Sequence, residues 1–126
     1  MAIRTPVKTM EINAVDYFNA KLQFETTPHQ LKADLDANRV YLLDVRDKES
    51  FTKERIPGAH NIPLSELTMH LKGLPKNMPI VTYCWNLTCS MAPKAALQLA
   101  EKGFRVQELI GGIEEWKAKF PVEGGR

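Results

Sequence analysis

The apolar positions of this chain fall into short runs that alternate between a strand period and a helix period. Val40-Tyr41-Leu42-Leu43-Asp44-Val45 and Ile80-Val81-Thr82-Tyr83 are near-continuous apolar stretches of strand length, the pattern of strands covered on both faces. Val106 to Ile110 predicts a further strand, and the polar–apolar alternation of Lys21-Leu22-Gln23-Phe24-Glu25 predicts a short edge strand. Helical spacing fills the intervals. Thr27-Pro28 is a capping hydroxyl followed by proline at a first helical position, with Leu31 and Leu35 on one face and Asn38 as the stop. Asp47 to Phe51 predicts another short helix, closed by the turn of Ile56-Pro57-Gly58, and an extended link follows over Ala59 to Pro63. Leu64, Leu67 and Leu71 predict a helix over Ser65 to Lys72, ending at Gly73 and Pro75. Beyond the second apolar strand, Ser90 can cap a helix that tolerates Pro93 in its first turn. Ala92, Ala96, Leu99 and Ala100 line its inner face, and Gly103 ends it. Ile113, Trp116 and Phe120 mark a last helix with Trp116 in the core, entered through Gly111-Gly112 and stopped at Pro121.

Alternation of this kind predicts an α/β fold with a central, mostly parallel sheet and helices on both faces. Residues 1–14 hold no sustained period. They are expected to form an arm carrying a helical turn at Ala14 to Asn19, so the chain divides into an N-terminal arm over 1–20 and one domain over 21–126.

Composition narrows the function classes. A formal charge of +2 with dispersed Lys and Arg argues against nucleic acid or a membrane surface as partner. The stretch Met1 to Met10 has Arg4 and Lys8 but no apolar core segment, and no apolar run reaches membrane-spanning length, so a cytoplasmic location is expected. Without a heptad pattern, a monomer is the expectation. Cys84 and Cys89 do not make a disulfide framework of the secreted type, and His29, His60 and His70 lack zinc-ligand spacing to them.

The candidate chemistry lies in Cys84-Trp85-Asn86-Leu87-Thr88-Cys89-Ser90. An apolar strand ends on a cysteine, a short neutral segment follows, and a helix begins at once. Ligands of open parallel sheets bind outside the carboxyl ends of strands. A thiol there, beneath loop N–H groups and a helix N-terminus, is expected to have a depressed pKa and to act as a nucleophile. The alternative is a small buried core cysteine. Asp44 and Arg46 end a strand on the same edge, either shaping the site or making an ion pair or a hydrogen bond to loop backbone. Arg55 either adds positive potential or is a solvated helix-end side chain.

Leu42-Leu43-Asp44-Val45-Arg46, then Arg55-Ile56-Pro57-Gly58-Ala59-His60-Asn61-Ile62-Pro63, then Ile80 to Cys84, then Gly111-Gly112 with Trp116, resemble the single-domain rhodanese family in order and content. The resemblance spans roughly Gln23 to Val122. It implies a rhodanese fold and a sulfurtransferase in which Cys84 takes a sulfane sulfur from a small-molecule or protein donor. The resulting persulfide is passed to cyanide or a thiol acceptor, and no cofactor or metal is implied. The backbone N–H groups of Trp85, Asn86, Leu87, Thr88, Cys89 and Ser90 are the expected cradle for the anionic sulfur.

The sequence departs from the family pattern in three places. Trp85 and Cys89 stand where the family commonly has a basic residue and an arginine, Leu87 replaces a loop glycine, and Arg55 replaces a histidine. A loop with no Lys or Arg offers little to dianionic thiosulfate, so poor thiosulfate turnover is expected. Cys89 either fills space or attacks a Cys84 persulfide or sulfenate. A noncatalytic interaction or redox-sensing module is the competing class. A phosphatase or arsenate reductase would need an arginine closing a loop one residue longer, where Ser90 stands.

Overall fold

The computed structural model describes residues 11–125; the expected arm over residues 1–10 lies outside them. Its elements run in chain order as α1 (Ala14–Phe24), β1 (Glu25–Thr26), α2 (Pro28–Asp36), β2 (Tyr41–Asp44), α3 (Lys48–Lys53) and β3 (His60–Asn61). Two 3-10 turns follow (Leu64–Met69 and Leu71–Gly73), then β4 (Ile80–Tyr83), α4 (Met91–Glu101), β5 (Val106–Leu109) and α5 (Gly112–Lys117). The strands form one sheet in the order β1-β5-β4-β2-β3, and every pairing between these strands is parallel.

Side chains alternate across the two central strands and thereby divide the core into two layers. Leu43, Val45, Ile80 and Cys84 pack with Ala92, Ala95 and Leu99 of α4 and with Leu67. Leu42, Val81 and Tyr83 face the other way, onto Leu31 of α2 and Ile113 and Trp116 of α5. The parity of β4 thus puts the Cys84 side chain on the α4 face. The helices of both layers are set by local signals that the sequence already carries. The Thr27 hydroxyl accepts from the Gln30 N–H at 3.3 Å ahead of Pro28. The Asp47 carboxylate accepts from the Ser50 N–H at 2.7 Å and starts α3.

Four local expectations are corrected. Lys21 to Glu25 is not an edge strand: α1 continues through Phe24, and only Glu25–Thr26 pairs with β5. The Asn13 side chain caps this helix, and a Lys21–Glu25 ion pair of 2.9 Å one turn apart supports its last turn. The helix therefore runs across the expected boundary at residue 20. Ser65 to Lys72 forms two 3-10 turns rather than one helix, broken at His70. The buried face of α4 is Ala92, Ala95 and Leu99, whereas Ala100 is exposed. Ser90 precedes α4 but gives no side-chain cap, because its own backbone is already helical at φ −93° and ψ −1°.

Asp44 and Arg46 form a fully buried ion pair behind the end of β2. Arg46 Nη2 donates to Asp44 Oδ2 at 2.7 Å and Nε donates to Oδ1 at 3.0 Å. The same Asp44 Oδ1 accepts from the Arg46 backbone N–H at 2.9 Å, and Nη2 also donates to the Glu54 carbonyl at 2.6 Å. Removing one member leaves the other charge buried and uncompensated. Asp44→Ala is therefore expected to cost about 3–5 kcal/mol of stability in urea denaturation; a loss below about 1 kcal/mol would contradict a structural role for the pair.

Candidate active site

The segment 84–90 leaves β4 and curls back to the start of α4. Its first two peptides are held by α5. The Ile113 N–H donates to the Cys84 carbonyl at 3.0 Å, and the Glu114 N–H donates to the Trp85 carbonyl at 3.1 Å. This close approach explains Gly112: a Cβ there would meet the Trp85 carbonyl carbon at 2.6 Å and the Cys84 oxygen at 2.7 Å. Its φ of +62° is a second reason for glycine. Thr82 fixes the other flank, its hydroxyl donating to the Ala92 carbonyl at 2.9 Å within the first turn of α4.

Within the loop, the Cys89 N–H donates to the Asn86 carbonyl at 3.2 Å and closes a turn. The Thr88 hydroxyl donates to Asn86 Oδ1 at 3.2 Å, which occupies the polar end of Asn86. Leu87 is 71% exposed at the tip. It borders a hollow of about 360 Å³ shared with Thr27, Pro28, His29, Ile110 and Glu115. Trp85 lays its ring 4.5 Å from the Arg46 guanidinium carbon, a cation–π contact that fastens the loop to the buried ion pair.

Cys84 itself is only 2% exposed. Its thiol donates to the Cys89 carbonyl oxygen, with 3.7 Å between sulfur and oxygen. Burial first, and the neighbouring Cys89 thiol second, push the Cys84 thiol up to about 12, against the pull of the Ala92 and Trp85 N–H groups. Cys89 is half-buried and moves the other way. Burial would raise it, but its hydrogen bond with Cys84 and those from the Trp85 and Met91 N–H groups leave it below the ordinary thiol value. The expectation of a depressed Cys84 pKa is thus corrected: burial and the neighbouring thiol raise it, and Cys89 is the thiol shifted downward.

The composition of the cradle also differs from expectation. Of the loop residues, Trp85 directs its N–H at the thiols, whereas the Cys89 N–H is committed to Asn86. The expected helix N-terminus contributes through Met91 and Ala92, which the sequence reading did not name individually. Ser90 accepts from the Lys94 N–H through its carbonyl. Arg55 is engaged elsewhere. It reaches the Phe51 and Thr52 carbonyls, pairs with Glu123 at 3.3 Å, and bridges the C-terminal segment through its backbone. Asp44 and Arg46 support the site from behind rather than lining it with free charge. Among the described residues, no group of three His, Cys, Asp or Glu side chains is arranged to hold a metal, and no helix is long and apolar enough to cross a membrane.

A parallel α/β sheet with a cysteine loop at the carboxyl end of its central strand, cradled by the start of the next helix, defines the class. The rhodanese-like domain family model matches residues 27–119, and the chain belongs to that family. It is 35% identical over 84 residues to the thiosulfate sulfurtransferase GlpE of Coxiella burnetii, covering 66% of this chain and 77% of GlpE. It is 41% identical over 91 residues to the HTH-type transcriptional regulator Rv0324 of Mycobacterium tuberculosis, covering 71% of this chain but spanning only 40% of the regulator's length. The crystal structure of BH2092 from Bacillus halodurans aligns with a TM-score of 0.79 at 42% identity, covering 89% of this chain and 85% of that one.

The thiol pair has a measurable signature. Thiolate, not thiol, reacts with iodoacetamide, so the Cys84 rate in the reduced protein should still be climbing at about pH 10 while that of Cys89 levels off earlier. In Cys89→Ala the neighbouring thiol and its negative charge disappear, so the Cys84 profile should shift to lower pH. Peptide-resolved alkylation rates against pH check this, and an unmoved Cys84 profile would refute the coupling.

Proposed function

We propose that this protein is a sulfurtransferase that carries a sulfane sulfur as a persulfide on Cys84 and delivers it to a thiol or cyanide-type acceptor. The observation that carries the reading is the position of Cys84 at the carboxyl end of β4, facing the N-terminal N–H groups of α4. Family membership and the named sulfurtransferase relative support it.

In the first half-reaction, the Cys84 thiolate attacks the outer sulfur of a donor. The donor S–S bond breaks, the donor leaves as a thiolate, and Cys84 holds the added sulfur. In the second, an acceptor attacks that outer sulfur and Cys84 departs as thiolate. The Cys84 thiolate forms within a singly charged pair, by passing its proton to Cys89, so no further charge has to enter the buried loop. The N–H groups of Trp85, Met91 and Ala92 are the donors available to the anionic persulfide.

Donor selectivity follows from charge. Residues 84–90 contain no Lys or Arg, and the nearby Arg46 is neutralised by Asp44 at 2.7 Å. A dianion gains little here, so an uncharged or singly charged persulfide, or a protein-bound one, is the favoured donor. A second reading, a redox-sensing or interaction module, draws on the burial of Cys84 and the similarity to a transcriptional regulator.

Mass spectrometry after exposure to glutathione persulfide tests the reading. One added sulfur atom on the Cys84 peptide is expected in Cys89→Ser, and none in Cys84→Ser. A Cys84 that accepts sulfur from no donor favours the module instead. With thiosulfate, the KM should be high, and Cys89→Arg should lower it by about ten-fold by adding a bidentate cation to the loop. A low KM in the unaltered chain would refute the electrostatic account of selectivity.

A further inference from the structure

The loop holds a second nucleophile within reach of the sulfur that Cys84 would carry. The turn from Asn86 to Cys89 folds the segment back on itself, and the Cys84 sulfur lies 3.7 Å from the Cys89 carbonyl oxygen. The two thiols are close enough that each shifts the other's ionisation. Cys84 is buried, whereas Cys89 is half-buried at the protein surface.

We propose that Cys89 is a resolving nucleophile that attacks the inner sulfur of a Cys84 persulfide, releasing hydrosulfide and leaving a Cys84–Cys89 disulfide. The inference rests on the reading of Cys84 as the sulfur carrier, and it adds an activity: a dithiol-dependent persulfide reductase that liberates sulfide from persulfide or polysulfide donors.

The step balances. Cys89 passes its proton to the outer sulfur of the anionic persulfide; its thiolate then forms a bond to Cys84 Sγ, and the bond between that Sγ and the outer sulfur breaks. Its electron pair leaves with the outer sulfur, which departs as hydrosulfide carrying one proton. The sulfane sulfur is reduced by two electrons, which the two cysteine sulfurs supply as they become a disulfide. A dithiol, either a small molecule or a redox protein, then reduces that disulfide by thiol–disulfide exchange and restores both thiols.

Cys89 is suited to the attacking role on three grounds. It is tethered in the same loop, so the reaction is intramolecular and gains from proximity. The N–H groups of Trp85 and Met91, with the Cys84 thiol, hold its own thiol below the ordinary range against the opposing effect of burial. Thiolate is thereby supplied at the attacking atom. Lastly, residues 84–90 contain no Lys or Arg, so the loop lacks a fixed cation that would neutralise and retain an anionic persulfide. Expulsion of an anion from the loop is opposed by less.

The test uses the full chain, reduced and then freed of reductant, treated with one equivalent of glutathione persulfide. The unaltered protein should release close to one equivalent of sulfide per chain, and its intact mass should fall by two hydrogens. Cys89→Ser should instead retain one added sulfur on Cys84 and release sulfide at least about ten-fold more slowly. Cys89→Ala, with its folding checked by urea denaturation, should behave as the serine variant does. Dithiothreitol should convert the single release into turnover in the unaltered chain alone. Stable retention of sulfur on Cys84 with Cys89 still open to alkylation would overturn the resolving role while leaving the carrier reading intact. Release by both Cys89 variants at the unaltered rate would do the same. Failure of every chain to gain sulfur at Cys84 would overturn the carrier reading, and this one with it.

Discussion

The site depends on the two hydrogen bonds that α5 makes to the carbonyls of Cys84 and Trp85. A peptide whose carbonyl is held outward has its N–H turned the other way, so this tie decides which polar groups the loop presents to sulfur. It also divides labour between two helix N-termini. The first free N–H groups of α5 are consumed in holding the loop, whereas those of α4, at Met91 and Ala92, face the thiols. Helix N-termini favour negative charge generally; here only the second is left to act on the chemistry. Gly112 is the residue that permits the arrangement, since any side chain would separate α5 from the peptide it holds.

The Asp44–Arg46 pair extends the same rigidity to the other side of the loop. Arg46 is bound by Asp44 and by the Glu54 carbonyl, and offers its face to Trp85 at 4.5 Å. Its charge is spent on Asp44 and its plane on the tryptophan. A guanidinium so engaged steadies the first loop residue without acting as an anion clamp. The positive charge nearest the site is therefore structural, and attraction for substrate must come from backbone dipoles.

Much of the architecture was legible because its signals are local and redundant. Two apolar strand runs, the Thr27-Pro28 cap and the Pro57-Gly58 turn each sit where a single rule applies without competition. The alternation of Lys21 to Glu25 misled because a two-residue pattern also fits one face of a short helix, and a distant cap at Asn13 together with the Lys21–Glu25 pair prevails. Ala95 and Ala96 differ by 100° around α4, and composition alone does not say which of two adjacent alanines faces the sheet. Cys84 was identifiable as the reactive candidate from its place at a strand end. Its ionisation was not. That depends on burial, on the direction of individual peptides and on a second thiol brought back by a turn, none of which is written in the spacing.

A thiol at position 89 does more than leave the loop without a positive charge. Arginine is a fixed cation at every accessible pH, so a loop closed by it stabilises whatever anion sits on the central sulfur. A thiol contributes nothing when protonated and a negative charge when ionised. In this chain its pKa lies below the ordinary thiol value, while burial first and the neighbouring Cys89 second make ionisation at Cys84 harder. On the proposed mechanism, the residue that leaves a dianionic donor without a cation is also the nucleophile beside the carrier sulfur. Loss of anion affinity and gain of a route for expelling an anion are two consequences of one residue, and both run in the direction of sulfur leaving the loop rather than resting in it.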